Sequence, residues 1–170
     1  HTSFKYKKIK NEKIENISLK NCRLEEFKYL KNISIKLNKK DKVLLRGKSG
    51  IGKTTLMHMI KGDIEVKNIK VNNTPISQEH NKRITYISSI PFLIDSTVLE
   101  NILFNRNIDK EKLEKVLDIT NLKDLKERID IDYLSSGEMQ KINLARALLN
   151  DTDVFLFDEA LNQISEIEAK

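Results

Sequence analysis

The chain has 170 residues, a net charge of +6 and 33% charged residues, which suits one domain able to bury a sizeable core. Its basic excess is mostly lysine in a chain rich in Lys, Ile and Asn, and its aromatics (6%) do not interleave with a basic stripe, so a nucleic-acid partner is not expected. The lone Cys22 excludes an intramolecular disulfide and suits a reducing cytosol, no apolar run approaches the ~18 residues of a membrane span, and no signal peptide is present.

Residues 1–13 carry five lysines and little apolar content, the composition of a basic linker or tail. Ile14, Ile17 and Leu19 begin strand-like material. Ile33, Ile35 and Leu37 alternate with Asn32, Ser34 and Lys36, the pattern of a half-buried strand. Residues 43–45 (Val-Leu-Leu) read as a short strand leading into a glycine-rich run. After it, Lys53–Lys61 reads as a helix with Leu56, Met57 and Ile60 on its inner side and Gly62 just past its end. Short strands are expected at 64–66, 69–71 and 84–87, with Asn72-Asn73 as a turn. His58 and His80 read as ordinary surface or helix residues. From 97 to 150 the character is helical. Thr97 and Glu100 have capping-box spacing, 110–117 and 122–127 are short amphipathic helices, and Ser135 with Glu138 forms a second capping box. That box leads a helix through Met139, Ile142, Leu144, Ala145, Leu148 and Leu149. Residues 154–157 are a buried strand ending in Asp158-Glu159. The chain begins at His1 and stops soon after Glu159, as a cut fragment of a longer protein would.

The glycine-rich run is Gly47-Lys48-Ser49-Gly50-Ile51-Gly52-Lys53-Thr54-Thr55, which fits the phosphate-loop pattern Gly-x4-Gly-Lys-Ser/Thr. A chain with five glycines keeps them where the backbone approaches something closely or takes φ > 0. Here they let consecutive N–H groups turn inward on anionic oxygens. Lys53 adds a charge that reaches the β- and γ-phosphates, and the Thr54 hydroxyl can hold Mg²⁺. The following helix points its positive end at the phosphates. The expectation is a nucleotide-binding ATPase.

The acids closing the last strand have two readings. Strands often end in acids because charge belongs at the solvent edge. Beside a phosphate loop, Asp158 would reach the Mg²⁺ shell and Glu159 would polarise the water attacking the γ-phosphate. Leu134-Ser135-Ser136-Gly137-Glu138 is at least a capped helix start. A serine hydroxyl and free N–H groups at a helix N-terminus also make an anion site.

The phosphate loop, then Leu-Ser-Ser-Gly-Glu with Ala145-Arg146-Ala147-Leu148, then Val-Phe-Leu-Phe-Asp-Glu, resembles the ATP-binding-cassette (ABC) ATPase family over residues 14 to 170. Residues 95–102 (Asp-Ser-Thr-Val-Leu-Glu-Asn-Ile), preceded by Pro91-Phe92-Leu93, are similar to a stretch of exporter-type cassettes. The resemblance implies an α/β fold: a P-loop NTPase sheet with helices, an N-terminal antiparallel β subdomain and an inserted α-helical subdomain at about 91–145. It also implies a chain incomplete at its C-terminus. It implies ATP and Mg²⁺ as cofactors, a transmembrane exporter domain and a second cassette as partners, and a place at the cytoplasmic face of the membrane, the fragment itself being soluble. Two cassettes would sandwich ATP, with Ser135, Ser136, Gly137 and Glu138 facing the γ-phosphate held by the partner. ATP would close the pair and hydrolysis would open it.

Some positions differ from the family pattern. The usual metal-touching glutamine falls on Ser89, from which a water could bridge to Mg²⁺. Leu19, Asn21 and Cys22 stand where an adenine-stacking aromatic is usual, leaving Phe27 or Tyr29. Ser136 replaces a glycine, Glu138 a glutamine, and Asn162-Gln163-Ile164-Ser165 lacks an acid. The readings left open are an active exporter cassette, an ATP-binding but weakly hydrolysing half of an asymmetric pair, and a soluble cassette acting on nucleic acid or ribosomes.

Overall fold

The computed structural model describes residues 12–22, 32–128 and 131–160. Phe27, Tyr29, residues 162–165 and most of the basic tail lie outside them. The chain divides into two compact units, His1–Ile84 and Thr85–Lys170.

The first unit is built on an antiparallel sheet of order β2-β1-β3-β4, from β1 (Asn16–Cys22), β2 (Ile33–Asn38), β3 (Ile69–Val71) and β4 (Thr74–Pro75). In register, Ile17 faces Leu37 on one side and Val71 on the other. Strand alternation buries Ile17, Leu19, Ile69 and Val71 and leaves Lys36 and Lys70 in solvent. A strict period of two would expose Cys22. A register shift between Leu19 and Cys22, with Asn21 at φ 50°, turns its thiol to the buried side. The Asn72-Asn73 turn is present, both residues at positive φ, and joins β3 to β4.

α1 runs Lys53–Lys61 and buries Leu56, Met59 and Ile60, an i, i+3, i+4 stripe. Met57 is half-exposed, so Met59 takes the inner place expected for it. Gly62 ends the helix at φ 84°, its N–H returning to His58 and Met59 carbonyls. A short helix α2 (Gln78–Asn81), not anticipated from the sequence, starts at Ser77, whose N–H is accepted by His80 Nδ1 at 3.1 Å. Of the surface or helix place expected for His80 it takes the helical one, buried at 3% exposure.

Two expected strands are absent. Residues 43–45 and 64–66 have no regular structure, and Val43 and Leu44 are 59% and 72% exposed. An apolar triplet becomes a strand only when a neighbour takes its backbone hydrogen bonds. No described strand pairs with either segment.

β5 (Ile84–Ile87) and β6 (Val154–Phe157) form a two-stranded sheet. Only Leu156 of β6 is buried, and Phe155 stays 37% exposed. The buried strand expected from its composition would need cover on both faces to bury every residue. Between these strands lie α3 (Val98–Leu103), α4 (Lys110–Thr120) and α5 (Ser136–Leu148), with α3 and α4 packed on α5. Their core includes Val98, Ile102, Leu117, Leu122, Ile142 and Ala145. α4 runs to Thr120 because Asn121, at φ 52°, supplies its stop; the helix expected at 122–127 is only a 3-10 turn at Lys123–Leu125. The α/β class and the antiparallel sheet toward the N-terminus agree with expectation.

Asn101 and Arg146 pin the segment before α3 onto α5. The fully buried Asn101 accepts from Ile94 N at 2.9 Å and donates to Ile94 O, Ser96 O and Thr97 O. Arg146 donates to Asn101 Oδ1 at 3.1 Å and to Phe92 O, and its guanidinium lies 4.7 Å from the centroid of the Phe104 ring.

Candidate functional site

The expected site residues fall in both units, and each unit is built separately. Residues 47–55 belong to the first; Ser89, residues 135–138, Asp158 and Glu159 belong to the second.

In the first unit the loop leads directly into α1. Gly50 and Gly52 take φ 75° and 103°, conformations that side chains disfavour. Gly52 is the N-cap of α1 and offers no side-chain cap, and the first turn holds no acid. α2, α3, α4 and α5 each carry a polar N-cap residue, Ser77, Thr97, Asp109 and Ser135, with an acid in the first turn. α1 alone among the described α-helices presents its N-terminal N–H groups and dipole without an acidic side chain of its own. Between Asp41 and Asp63 the sequence has no acid but includes Arg46, Lys48 and Lys53. The Lys53 ammonium bends back to donate to Gly47 O at 3.0 Å and Lys48 O at 3.1 Å. It is thus held over the loop it would serve. Thr54, Ser49 and Thr55 accompany it, with Ile51 at the loop tip 41% exposed.

In the second unit Ser135 and Glu138 close a reciprocal capping box. Glu138 Oε2 accepts from Ser135 N at 2.7 Å, and Ser135 Oγ accepts from Glu138 N at 3.2 Å. Bonds to the carboxyl from the Ser135 backbone N–H first, and then from its side chain, hold Glu138 below its ordinary range, with Arg128, 3.8 Å away, assisting. The N-terminus of α5, with Ser136 and Gly137, therefore already carries a carboxylate.

Asp158 and Glu159 follow β6 directly. Asp158 N donates to Ile87 O at 3.0 Å, and the Tyr86 hydroxyl donates to Asp158 Oδ2 at 2.7 Å. Glu159 is exposed and left-handed at φ 55°, a costly conformation for a non-glycine residue. Ser89 is exposed, and its carbonyl accepts from Gln140 of α5; Asn143, also on α5, donates to Ser88 O at 3.2 Å.

Sequence reasoning missed Tyr86, Gln140 and Asn143, which act across the fold. An amide at each of positions 140 and 143, three residues apart on one face of α5, was the available signal.

Among the described residues no group of three or more His, Cys, Asp or Glu could hold a metal ion. Thr54 in the first unit, and Asp158 and Ser89 in the second, each carry a hard oxygen. Oxygen of this kind is the donor type that Mg²⁺ prefers.

A family model described as ABC transporter matches residues 30–162. The chain is 35% identical over 161 residues to ABC transporter C family member 6 of Dictyostelium discoideum, covering 88% of this chain and 12% of that protein. It is 31% identical over 176 residues to the SPbeta prophage-derived sublancin-168-processing and transport ATP-binding protein SunT of Bacillus subtilis (strain 168), covering 92% and 25%. It is 32% identical over 161 residues to a putative export ATP-binding/permease protein of Rickettsia bellii (strain RML369-C), covering 85% and 28%. A bacterial Atm1-family ABC exporter solved with ATP bound shares the fold, with a TM-score of 0.76 at 18% identity over 90% of this chain and 30% of that one. The chain thus spans little more than a quarter, at most, of the length of each of these relatives.

Proposed function

We propose a function from the premise that this chain belongs to the ABC transporter family: it is the ATP-binding and ATP-hydrolysing unit that powers an exporter. The observation that carries this reading is the loop at 47–55, whose positive-φ glycines and Lys53 lead into a helix lacking an acidic cap. Such an N-terminus is built to receive an external anion. The relatives whose names include export or transport with ATP-binding support the coupling to transport.

On this reading Gly47 to Thr55 wrap the phosphates, and Lys53 exchanges its bonds to Gly47 O and Lys48 O for phosphate oxygens. Thr54 and Asp158, with Ser89 through water, hold Mg²⁺, which neutralises developing charge on the phosphates. Glu159 takes the proton of the attacking water. Ser135, Ser136, Gly137 and Glu138 meet the γ-phosphate bound by a second cassette. ATP-driven pairing then moves a transmembrane partner at the cytoplasmic face of the membrane, with residues 91–145 as the helical subdomain. Among the described residues no helix is long and apolar enough to cross a membrane, so that partner lies outside them.

The Glu138 carboxylate at the N-terminus of α5 favours a second reading, a weakly hydrolysing half of an asymmetric pair, because it would meet an incoming phosphate with like charge.

Sedimentation velocity of the full chain carrying Glu159→Gln, with and without MgATP, tests both. A shift to dimer only with MgATP supports self-pairing. No shift despite measured ATP binding supports the asymmetric pair. Absence of ATP binding, with Lys53→Ala no weaker than the parent, refutes the function.

A further inference from the structure

We propose that Tyr86 is the positioning residue for the Asp158 carboxylate, holding it for a divalent cation that arrives with a nucleotide phosphate; this rests on the ATP and Mg²⁺ reading above.

Asp158 stands one residue beyond the end of β6, where the strand no longer dictates where a side chain points. Two contacts from consecutive residues of β5 restrain it. Ile87 O accepts its backbone N–H at 3.0 Å, extending the strand pairing by one residue. Tyr86 Oη donates to its Oδ2 at 2.7 Å, the length of a charge-assisted O–H bond. The partners lie 72 residues apart in sequence, and both side chains are half-buried.

The geometry has a chemical consequence. A carboxylate has two oxygens and about four acceptor positions, so a phenol bond to one oxygen restrains its rotation while taking up a single position. Tyrosine suits the task, because its rigid ring has few rotamers to lose and its O–H only donates toward a carboxylate. A hard cation that keeps several waters needs its carboxylate aimed before binding, since a freely rotating one pays the ordering entropy on each encounter. Hydrogen-bond partners that orient metal ligands in this way are worth about 10–100-fold in metal affinity.

The test is Tyr86→Phe in the full chain, which keeps the ring and removes one O–H. A fluorescent ATP analogue is titrated in EDTA for metal-free affinity. Mn²⁺ binding in the presence of ATP is then read by electron paramagnetic resonance. The expected result is about a tenfold weaker Mn²⁺ affinity, with metal-free nucleotide affinity and melting temperature unchanged. In an Asp158→Asn background the same substitution should then change Mn²⁺ affinity less than twofold. An unchanged Mn²⁺ affinity overturns the proposal. So does an equal loss of metal-free and metal-dependent binding, the sign of a merely structural hydroxyl. A parent chain that binds no nucleotide with or without metal removes the functional reading, and the proposal falls with it. A parent that binds nucleotide while Tyr86→Phe does nothing sinks the proposal alone.

Discussion

Replacing Asn101 with leucine should unfasten the segment before α3 from α5. Leucine nearly matches asparagine in shape and fills the fully buried site, so no large cavity forms. What vanishes is the amide. Ile94 N and O, Ser96 O and Arg146 Nη2 each lose a partner, while Thr97 O still accepts from the Asn101 backbone N–H at 3.0 Å. An orphaned buried polar group costs about 1–3 kcal/mol. Ile94 and Ser96 are partly exposed, so water satisfies some of these groups. Two groups left fully unpaired give a net loss of about 3 kcal/mol. Urea unfolding followed by far-UV circular dichroism should show a lower midpoint at an unchanged slope. A cycle with Arg146→Ala should show coupling of about 1 kcal/mol or more, because both side chains share one network. A loss below about 1 kcal/mol, or simple additivity with Arg146→Ala, would refute the claim that this pair fastens the segment.

Other predictions follow from local geometry. Because Glu159 sits at φ 55°, Glu159→Gly should be more stable than Glu159→Ala by about 1 kcal/mol, both lacking hydrolysis; equal melting temperatures would contradict the strain. Gly62→Ala meets the same left-handed penalty at φ 84° and drives a Cβ against the Asn81 side-chain amide, so it should lower stability by more than about 1 kcal/mol by chemical denaturation. Glu138→Gln keeps an acceptor for Ser135 N but removes the charge from the α5 N-terminus. ATP-driven pairing of the Glu159→Gln chain should tighten by about threefold or more while α5 loses about 0.5 kcal/mol of capping; unchanged pairing would remove the like-charge objection. Burial pushes His80 below its ordinary 6.5, against the opposing pull of Glu12 and Glu79. The unfolded chain therefore takes up the proton first, and stability present above pH 6.5 is lost as pH falls below it. His80→Gln should flatten that limb of a pH-stability profile.

What could be read in advance was whatever the chain states within a few residues. The ends of α1 follow from Gly52 and Gly62, and the caps of α3 and α5 from Thr97 with Glu100 and Ser135 with Glu138. The phosphate-loop residues announce themselves by glycine spacing. Strands were harder, because hydrophobicity describes a side chain and pairing depends on a distant backbone. Val43 and Leu44 look like a strand and lie exposed, while the plainer Thr74–Pro75 joins a sheet. The bond between Tyr86 and Asp158 and that between Asn101 and Arg146 join residues 72 and 45 apart, beyond the reach of any local pattern. One hint was available for the second: asparagine is a poor helix former, and Asn101 sits amid the apolar residues of α3.

The bulge that turns Cys22 inward gives the chain a built-in clock. Cys22 is the sole cysteine, 1% exposed, with Sγ 3.6 and 3.7 Å from the carbonyls of Lys67 and Asn68. Burial raises its pKa, so little reactive thiolate exists while β1 stays in place. An alkylating reagent can reach it only when the strand peels away. The labelling rate therefore times the opening of the first unit alone, and slower labelling with ATP present would report how far a ligand at the 47–55 loop steadies the sheet that holds β1.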